Sequence, residues 1–365
     1  MNSKIGKSQA ILLILIVMIN KILLNMPKEI IKQSQTGAPI NIIFTGILAI
    51  LLTLIICKLF KKFPNEDIIE ISDYLGKKPL KFIVGIGFEL LFALIITTVI
   101  YEFSSLLQKV YFPKTPLALI LLIFLATIGF ANKTGFKAII KSNTIIVILI
   151  LISLIVILGG TIKNLNFNRL YPILGQNVKT TFLEGAQNIY AYGGLLYLFF
   201  IMPFLKNKKD FTPVAVISTL ISGLFLLFTA VTLLALFPFI SHSEEIMSMY
   251  LLTRCIEFGT FLQRTDAIFI FLWIISAFSY LSISLMFMVN IFKKLTNCQD
   301  SPNYSYSFLG IIFALIMLFH NQSIFKLLQT VIYKYLILGI LILSLIVLIL
   351  ANIKRKDYTK WKKQF

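Results

Sequence analysis

The sequence predicts an all-α integral membrane protein with ten transmembrane helices, and three observations carry that prediction. Of its 365 residues, 58% are apolar, and the mean hydropathy is +0.91. Only 13% are charged, about half the usual share for a soluble domain. The apolar residues form long runs separated by short basic clusters. Because a single core cannot enclose this much apolar surface, the excess must face lipid. A soluble enzyme, a nucleic-acid-binding domain and a disordered chain are thereby excluded.

The spans follow from the length that a helix needs to cross the hydrocarbon layer, roughly 20 mostly apolar residues. The first run, from Ala10 to Leu24, follows Lys4 and Lys7 as the apolar part of a signal peptide would. No small-x-small cleavage site ends this run, so we predict that it is the first transmembrane helix. The ten predicted spans are 9–28, 40–60, 80–108, 116–132, 142–162, 182–205, 212–240, 266–293, 305–323 and 331–352.

The distribution of basic residues predicts that both termini lie in the cytoplasm. With the N-terminus inside, 22 of the 34 Lys and Arg residues fall in cytoplasmic segments and 11 in outside segments. Cytoplasmic loops of membrane proteins carry such an excess. The basic tail from Lys360 to Lys363 is interpreted either as a contact with anionic headgroups or as a plain topology signal.

The first and sixth spans are predicted to be interrupted. Span 1 contains Asn20-Lys21-Ile22 and, further on, Asn25-Met-Pro27. Polar and charged side chains at lipid depth are unfavourable unless they face a cavity. Span 6 contains Tyr192-Gly193-Gly194, where two glycines let a ligand approach the backbone. Interruptions at corresponding places in two halves of five helices indicate a transporter-type site near the midplane. Close packing between helices at the glycines is the alternative.

Three charges within the spans are candidates for function. Lys21 is predicted to take a ligand carboxylate or to replace a coupling sodium ion, and an internal pair with Glu89 or Glu102 is the alternative. Glu89 and Glu102 lie 13 residues apart on span 3. At about 100° per residue, they point to roughly opposite faces of one helix. Either glutamate could gate the site or carry a proton, and a structural pair with a nearby lysine is the alternative.

Span 8 supplies the remaining candidates. Glu257, Arg264 and Asp266 lie at its outer mouth and are predicted to hold the preceding loop or to contact another subunit. Ser276 and Tyr280, together with Tyr192 of span 6, are predicted to line the cavity, although such residues also serve ordinary helix packing.

The sequence contains no motif of an enzyme. It has no nucleophile elbow, phosphate-binding loop, zinc-protease motif or dinucleotide fingerprint. Its three cysteines and two histidines lie far apart, so their spacing matches no metal site. We therefore expect a protein that is not an enzyme and that binds no cofactor and no metal.

The segment from Glu257 to Phe269 resembles the eighth-span signature of the spore germination permeases, the B subunits of nutrient germinant receptors. Its specific part is Arg264-Thr-Asp266-Ala-Ile-Phe269, followed by Trp273. Weaker similarities are spread over nearly the whole chain, at Tyr101-Glu102-Phe103, Phe112-Pro113-Lys-Thr115-Pro116-Leu and Leu170-Tyr171-Pro172-Ile-Leu-Gly175. The family is similar in turn to the amino acid-polyamine-organocation transporters.

The resemblance implies ten helices in two inverted repeats of five, here 9–162 and 182–352, in one domain over 1–365. Helices 1 and 6 would be unwound around a ligand. The implied partners are an A subunit and a lipoprotein C subunit in the inner membrane of a dormant spore. The expected function is a receptor subunit that binds a small nutrient, in the first place an amino acid, and triggers germination. An active proton-coupled transporter of an amino acid or organic solute is the alternative, since fold does not fix function.

The chain departs from the family pattern at two places. Family members often carry small residues where this chain has Asn20 and Lys21. Many carry a glutamate just after the span 6 glycine, where this chain has Gly194. A cation at the first interruption and a missing acid at the second would change the charge of the preferred ligand.

Overall fold

The computed structural model describes residues 4–23, 25–175, 177–237, 250, 252–253, 265–298, 303–319 and 321–354. The regular elements of this part of the chain are helices. Six helical stretches are long and apolar enough to cross a membrane: Met26–Phe60, Ile68–Val110, Leu117–Thr134, Phe136–Asn164, Lys208–Leu236 and Phe269–Thr296. Asn303–Leu318 and Ile337–Ile353 are shorter apolar helices. The all-helical membrane protein is thus confirmed, while the count of ten spans stays a prediction.

The first half of the chain forms six α-helices. They are α1 (Lys7–Leu23), α2 (Met26–Ser34), α3 (Ala38–Phe60), α4 (Ile68–Val110), α5 (Leu117–Thr134) and α6 (Phe136–Gly160).

The second half begins with an irregular segment in place of one straight helix. It consists of a π-turn (Thr180–Glu184), a 3-10 helix (Gly185–Tyr197), α7 (Leu198–Ile201) and a short 3-10 helix (Met202–Phe204). Next come α8 (Phe211–Leu236), α9 (Thr265–Thr296) and α10 (Asn303–Leu318). The last span joins α11 (Gln322–Val331) to α12 (Ile337–Ile353) through a second π-turn (Ile332–Leu336).

Helix α1 lies at the centre of the bundle. Every residue from Leu13 to Leu23 is buried, and α1 contacts α6, α8, α9 and the 3-10 helix 185–197. A helix that is buried on all sides belongs to the interior. Helix α3 shows the opposite pattern, because Ile43, Ile47 and Leu51 are each about half exposed. These residues recur every fourth position and form a stripe that faces lipid.

Helix α4 bends near its start. Gly76 and Lys77 leave helical geometry, with Lys77 at φ 55°. The part after the bend corresponds to the predicted span 80–108. The part before it begins with a capping box. The Asp67 side chain accepts from the Glu70 backbone N–H, and the Glu70 side chain accepts from the Asp67 backbone N–H. Lys294, at the end of α9, donates to both carboxylates at 2.5 and 2.6 Å, so the two helix ends are tied together.

The described chain ends are also attached to the bundle. The Ile5 N–H donates to the Phe204 carbonyl at 2.8 Å, and the Lys206 N–H donates to the Ile5 carbonyl at 3.0 Å. At the other end of the chain, the Tyr74 hydroxyl donates to the Lys354 carbonyl at 2.5 Å. The segment before α1 therefore lies at the end of the irregular segment, and the end of α12 lies beside the start of α4.

Two predicted spans differ from the observed helices. Asn20 and Lys21 are predicted to lie at an interruption but lie inside α1, which ends at Leu23; α2 begins at Met26, with Asn25 as its N-cap. The helix continues through the polar pair because their side chains turn to other helices while the backbone keeps its own hydrogen bonds. The predicted span 331–352 corresponds only to the π-turn and α12. The more polar helix before it lies outside that prediction.

Candidate ligand-binding site

The break after α1 is organised around Asn25. This residue occupies the N-cap position of α2 with φ −119° and ψ 1°, and Pro27 follows in the first turn. Asparagine at such a position normally accepts a hydrogen bond from the helix backbone. Here its side chain makes no cap bond, and its amide instead donates to Glu102 Oε1 at 2.7 Å. The first interruption is thereby connected to α4.

Glu102 receives a second amide from a residue far along the chain. Gln329 of α11 donates to Glu102 Oε2 at 2.9 Å. Directly beside this bond, the ring of Phe325 stacks on Tyr101, with centroids 3.6 Å apart and ring planes 9° apart. One carboxylate thus joins the break after α1 to α4 and α11. Gln329 was missed by the sequence reasoning because it lies before the predicted last span.

Asn20 connects α1 to α9. Its amide donates to Ser276 Oγ at 2.7 Å, and both side chains are fully buried. The Asn20 Oδ1 atom is also buried and has no hydrogen-bond partner within the described chain. A buried amide oxygen of this kind is a ready acceptor for a ligand group. The prediction that Asn20 and Ser276 belong to one site is consistent with this contact.

Lys21 points at the second interruption. A Cβ atom added to Gly193 would lie 2.6 Å from Lys21 Nζ and 3.0 Å from Ile337 Cδ1. A larger residue at this position would require the end of the Lys21 side chain to shift. Lys21 is 4% exposed, and its neighbour Ile22 is buried as well. The structure therefore brings together Lys21 and Gly193, which lie on different predicted repeats.

Gly194 allows the backbone of the irregular segment to approach α1. A Cβ atom at Gly194 would lie 2.6 Å from Met18 Cγ and 3.4 Å from the Met18 backbone nitrogen. The backbone between the two glycines and Glu184 follows a 3-10 helix, and Tyr192 leaves helical geometry at φ −91° and ψ 21°. The predicted interruption of the sixth span therefore lies where it was expected, and it contacts α1 directly.

The Tyr192 side chain reaches α3 and α8. Its hydroxyl would lie 3.0 Å from a Cβ atom on Gly46 of α3 and 2.9 Å from one on Gly223 of α8. The hydroxyl is buried and makes no hydrogen bond to other described residues. The Tyr192 hydroxyl thus lies between α3 and α8, and its role as a lining residue of the cavity stays a prediction.

Tyr280 belongs to an aromatic cluster. Its ring centroid lies 6.4 Å from that of Tyr197, and the Tyr197 hydroxyl is 2.6 Å from Ser284 Oγ. Tyr197 also packs on Phe92 and Phe287 at 5.1 and 5.7 Å. Since Tyr280 is one helical turn beyond Ser276, the cluster forms one boundary of the candidate site.

A second polar cluster, absent from the sequence-based candidates, stabilises the start of the irregular segment. Asn41 of α3 donates to the Thr181 carbonyl at 2.7 Å and accepts from Asn188 at 2.8 Å. A Cβ atom on Gly185 would lie 2.1 Å from Asn41 Nδ2, so glycine is required there. An isolated asparagine in an apolar span is the signal that could have identified Asn41.

The remaining charged candidates lie elsewhere. Glu89 is 13 residues before Glu102, about 20 Å along α4, and is therefore not part of the same cluster. Its Oε1 atom is buried with no hydrogen-bond partner in the described chain. Glu257 and Arg264 fall outside the described residues, as does the side chain of Asp266. Among the described residues, no three metal-ligating side chains come together.

Comparison with known protein sequences gives consistent matches. A family model described as "Spore germination protein" matches residues 4–326. Spore germination protein YndE of Bacillus subtilis (strain 168) is 22% identical over 282 residues, covering 76% of this chain and 77% of that protein. Spore germination protein KB of the same organism is 25% identical over 284 residues, covering 73% of this chain and 72% of that protein.

Comparison with solved structures identifies the fold as that of transporters. A Na+-coupled sialic acid symporter, in a substrate-bound outward-open state, superposes with a TM-score of 0.65 at 12% identity. The match covers 94% of this chain and 79% of the symporter. A manganese transporter of Eremococcus coleocola superposes with a TM-score of 0.60 at 14% identity, covering 94% of this chain and 76% of that one.

Proposed function

Since the chain belongs to the family of spore germination proteins, we propose that it is the ligand-binding subunit of a nutrient germinant receptor. Its place is the inner membrane of the spore, and its partners are an A subunit and a lipoprotein C subunit. Its ligand is a small nutrient, and an amino acid is the leading candidate. The fold supports this assignment because transporters of this architecture bind solutes between helices near the midplane.

One observation carries the proposal: a basic side chain lies at one interruption and an acidic side chain lies at the other. Lys21 lies against Gly193, while Glu102 lies against Asn25. An amino acid carries a carboxylate for the lysine and an ammonium group for the glutamate. Charge-assisted hydrogen bonds of this kind are about twice as strong as neutral ones. The buried Oδ1 of Asn20, which has no hydrogen-bond partner among the described residues, supplies a further acceptor on the α9 side of α1.

Binding would act by favouring one conformer of the bundle. A ligand shifts a conformational equilibrium only by the difference in its affinity for the two states. A ligand that draws Lys21 and Glu102 together would change how α1 sits against the irregular segment. The A subunit would respond to that change, so the ligand need not cross the membrane.

The architecture that goes with this proposal has ten spans, inverted repeats 9–162 and 182–352, and cytoplasmic termini. The contact of Lys21 in α1 with Gly193 at the second interruption supports the repeats, because it joins the first span to the sixth. The bond from Tyr74 to Lys354 supports the placement of the end of α12 beside the start of α4. The basic segment after Leu205 lies next to Ile5, which supports a cytoplasmic N-terminus.

The first experiment is germination of spores that lack this chain, tested with amino acids, sugars and salts one at a time. Loss of the response to one nutrient, with a normal response to a non-nutrient trigger, is the expected result and identifies the ligand class. A complemented strain serves as the control. Unchanged responses to every nutrient, in a strain lacking all other receptors of this type, would contradict the proposal.

The second candidate function is proton-coupled uptake of an amino acid or another organic solute. The observation that favours it is the structural likeness to the symporter and to the manganese transporter. Uptake of radiolabelled amino acids into proteoliposomes with an inward proton gradient distinguishes the two functions. Accumulation that collapses with a protonophore would establish transport, whereas saturable binding without accumulation would support the receptor.

A further inference from the structure

Helix α11 lies over the carboxylate that the proposed ligand would meet. It contacts α4 through Phe325, which is 3% exposed and stacks on Tyr101, and through the bond from Gln329 to Glu102. Its opposite face is open, since Leu327 is 63% and Val331 is 40% exposed. Helix α11 therefore contacts α4 through the face that carries Phe325 and Gln329, beside the break after α1.

The residues of α4 next to α11 are buried. Tyr101 is 8% exposed although it lies near the end of α4, and the stacked Phe325 ring covers it. Thr98, one turn deeper on the same face as Glu102, is 2% exposed. Lifting α11 would uncover Tyr101, Glu102 and the path toward Thr98.

The π-turn Ile332–Leu336 separates α11 from a firmly packed helix. Ile337, which begins α12, is 1% exposed and packs against Gly193. A Cβ atom added to Gly193 would lie 3.0 Å from Ile337 Cδ1. π-turns interrupt the regular hydrogen-bond ladder and are frequent at functional sites. Gln329 at Glu102 and Ile337 at Gly193 therefore flank one irregular turn, so a bend there changes both halves of the candidate site.

We propose that Gln329 is a positioning residue for Glu102 and that α11 is a hinged cover. Release of Phe325 from Tyr101 and of Gln329 from Glu102 opens the site, and closure orients the carboxylate toward a bound ligand. The ligand role of Glu102 rests on the proposed function; the cover itself does not.

The test measures how fast a buried thiol becomes reactive. Thr98→Cys is introduced after Cys57→Ala, Cys255→Ser and Cys298→Ser, and the purified protein in detergent is treated with a charged methanethiosulfonate. Thr98 hydrogen-bonds to the Leu94 carbonyl of its own helix, so cysteine is well tolerated. The cover keeps this thiol slow to react. Adding Phe325→Ala should accelerate labelling about tenfold, since local opening limits the reaction.

Gln329→Met provides an independent variant that keeps the side-chain length but removes the donor. Labelling should rise severalfold and should return toward the parent rate in Gln329→Lys, which restores a donor to Glu102. Leu327→Ala, on the exposed face of α11, is the matched control and should leave the rate unchanged. Parent-like rates in both Phe325→Ala and Gln329→Met would overturn the cover.

The native Cys57, which is 1% exposed, serves as the control that distinguishes opening of α11 from general loosening of the bundle. In chains that keep Cys57 and lack the Thr98→Cys change, Phe325→Ala should leave Cys57 labelling slow. An equal rise at both thiols would mean partial unfolding and would also overturn the proposal. Because the labelling uses no nutrient, its outcome is independent of the germination assays, so failure of the cover and failure of the receptor function are distinguishable.

Discussion

The two interruptions that meet α1 are stabilised in different ways. At the first, side-chain hydrogen bonds stabilise the break, since Asn25 and Gln329 both donate to Glu102. At the second, shape is decisive, because Gly193 and Gly194 let Lys21 and Met18 lie against the backbone. Hydrogen-bonded contacts weaken when a donor is removed, whereas close contacts become repulsive when volume is added. The comparison therefore predicts which substitution harms which interruption.

The largest effect is expected from added volume at the second interruption. In Gly194→Leu, the new side chain must occupy space taken by Met18 Cγ and the Met18 backbone. Overpacking destabilises by about 1–3 kcal/mol and occasionally by more, and we expect the upper end here because α1 would be displaced from the irregular segment. We expect a clearly lower midpoint of thermal unfolding in detergent and no germination response.

Gly339→Leu is the matched control for that substitution. Gly339 lies on α12, and a Cβ atom there meets nothing within 4 Å. The unfolding midpoint should change little. If Gly194→Leu and Gly339→Leu melted alike, the close approach at the second interruption would carry no structural weight.

A smaller effect is expected when the first interruption loses its donor. Asn25→Ala removes the amide from Glu102 Oε1 and leaves a carboxylate with one fewer partner. Hydrogen bonds to charged groups contribute about 1.5–3 kcal/mol, and the unfolding free energy should fall by that amount.

A double-mutant cycle with Glu102→Gln tests the assignment of that loss. Coupling of about 1 kcal/mol between the two positions is expected, because they touch. Strictly additive effects would show that Asn25 acts through the α2 backbone alone.

The sequence predicts these interruptions better than it predicts their partners. Asn25 and Pro27 mark the end of α1, and Gly193-Gly194 marks the irregular segment, because local residue types determine where a helix can break. The contacts of Glu102 could not be predicted, since Gln329 is 227 residues away. The predicted interruption at Asn20 is wrong because the partner of Asn20, Ser276 on α9, is also distant in sequence, and their hydrogen bond lets the helix continue.

The last span shows a second limit. Span prediction relies on mean hydropathy, and α11 contains Ser323, Lys326 and Gln329, which lower that mean. The helix forms nonetheless, because Phe325 and Gln329 find partners on α4. A polar helix that is stabilised by tertiary contacts is invisible to a hydropathy window.

An intermediate effect is expected at the contact between α1 and α9. Ser276→Ala removes the acceptor of the Asn20 amide and leaves a second unsatisfied atom on a fully buried side chain. The loss in unfolding free energy should be about 1–2 kcal/mol. Ser276→Thr keeps the hydroxyl and should retain most of the stability. If Ala and Thr behaved identically, the Asn20–Ser276 bond would not stabilise α1.

The smallest effect on stability, and the most selective effect on function, is expected at Lys21. Lys21→Met keeps the length of the side chain beside Gly193 and removes its charge. Methionine removes the cost of burying an amino group and fills a similar volume, so the unfolding midpoint should stay close to that of the parent. The nutrient response should nevertheless be lost, because the proposed partner of the ligand carboxylate is gone. Lys21→Arg should retain part of it. A full response in Lys21→Met would assign Lys21 to packing, and recognition of the ligand would then rest on the hydrogen-bonded interruption at Asn25 and Glu102.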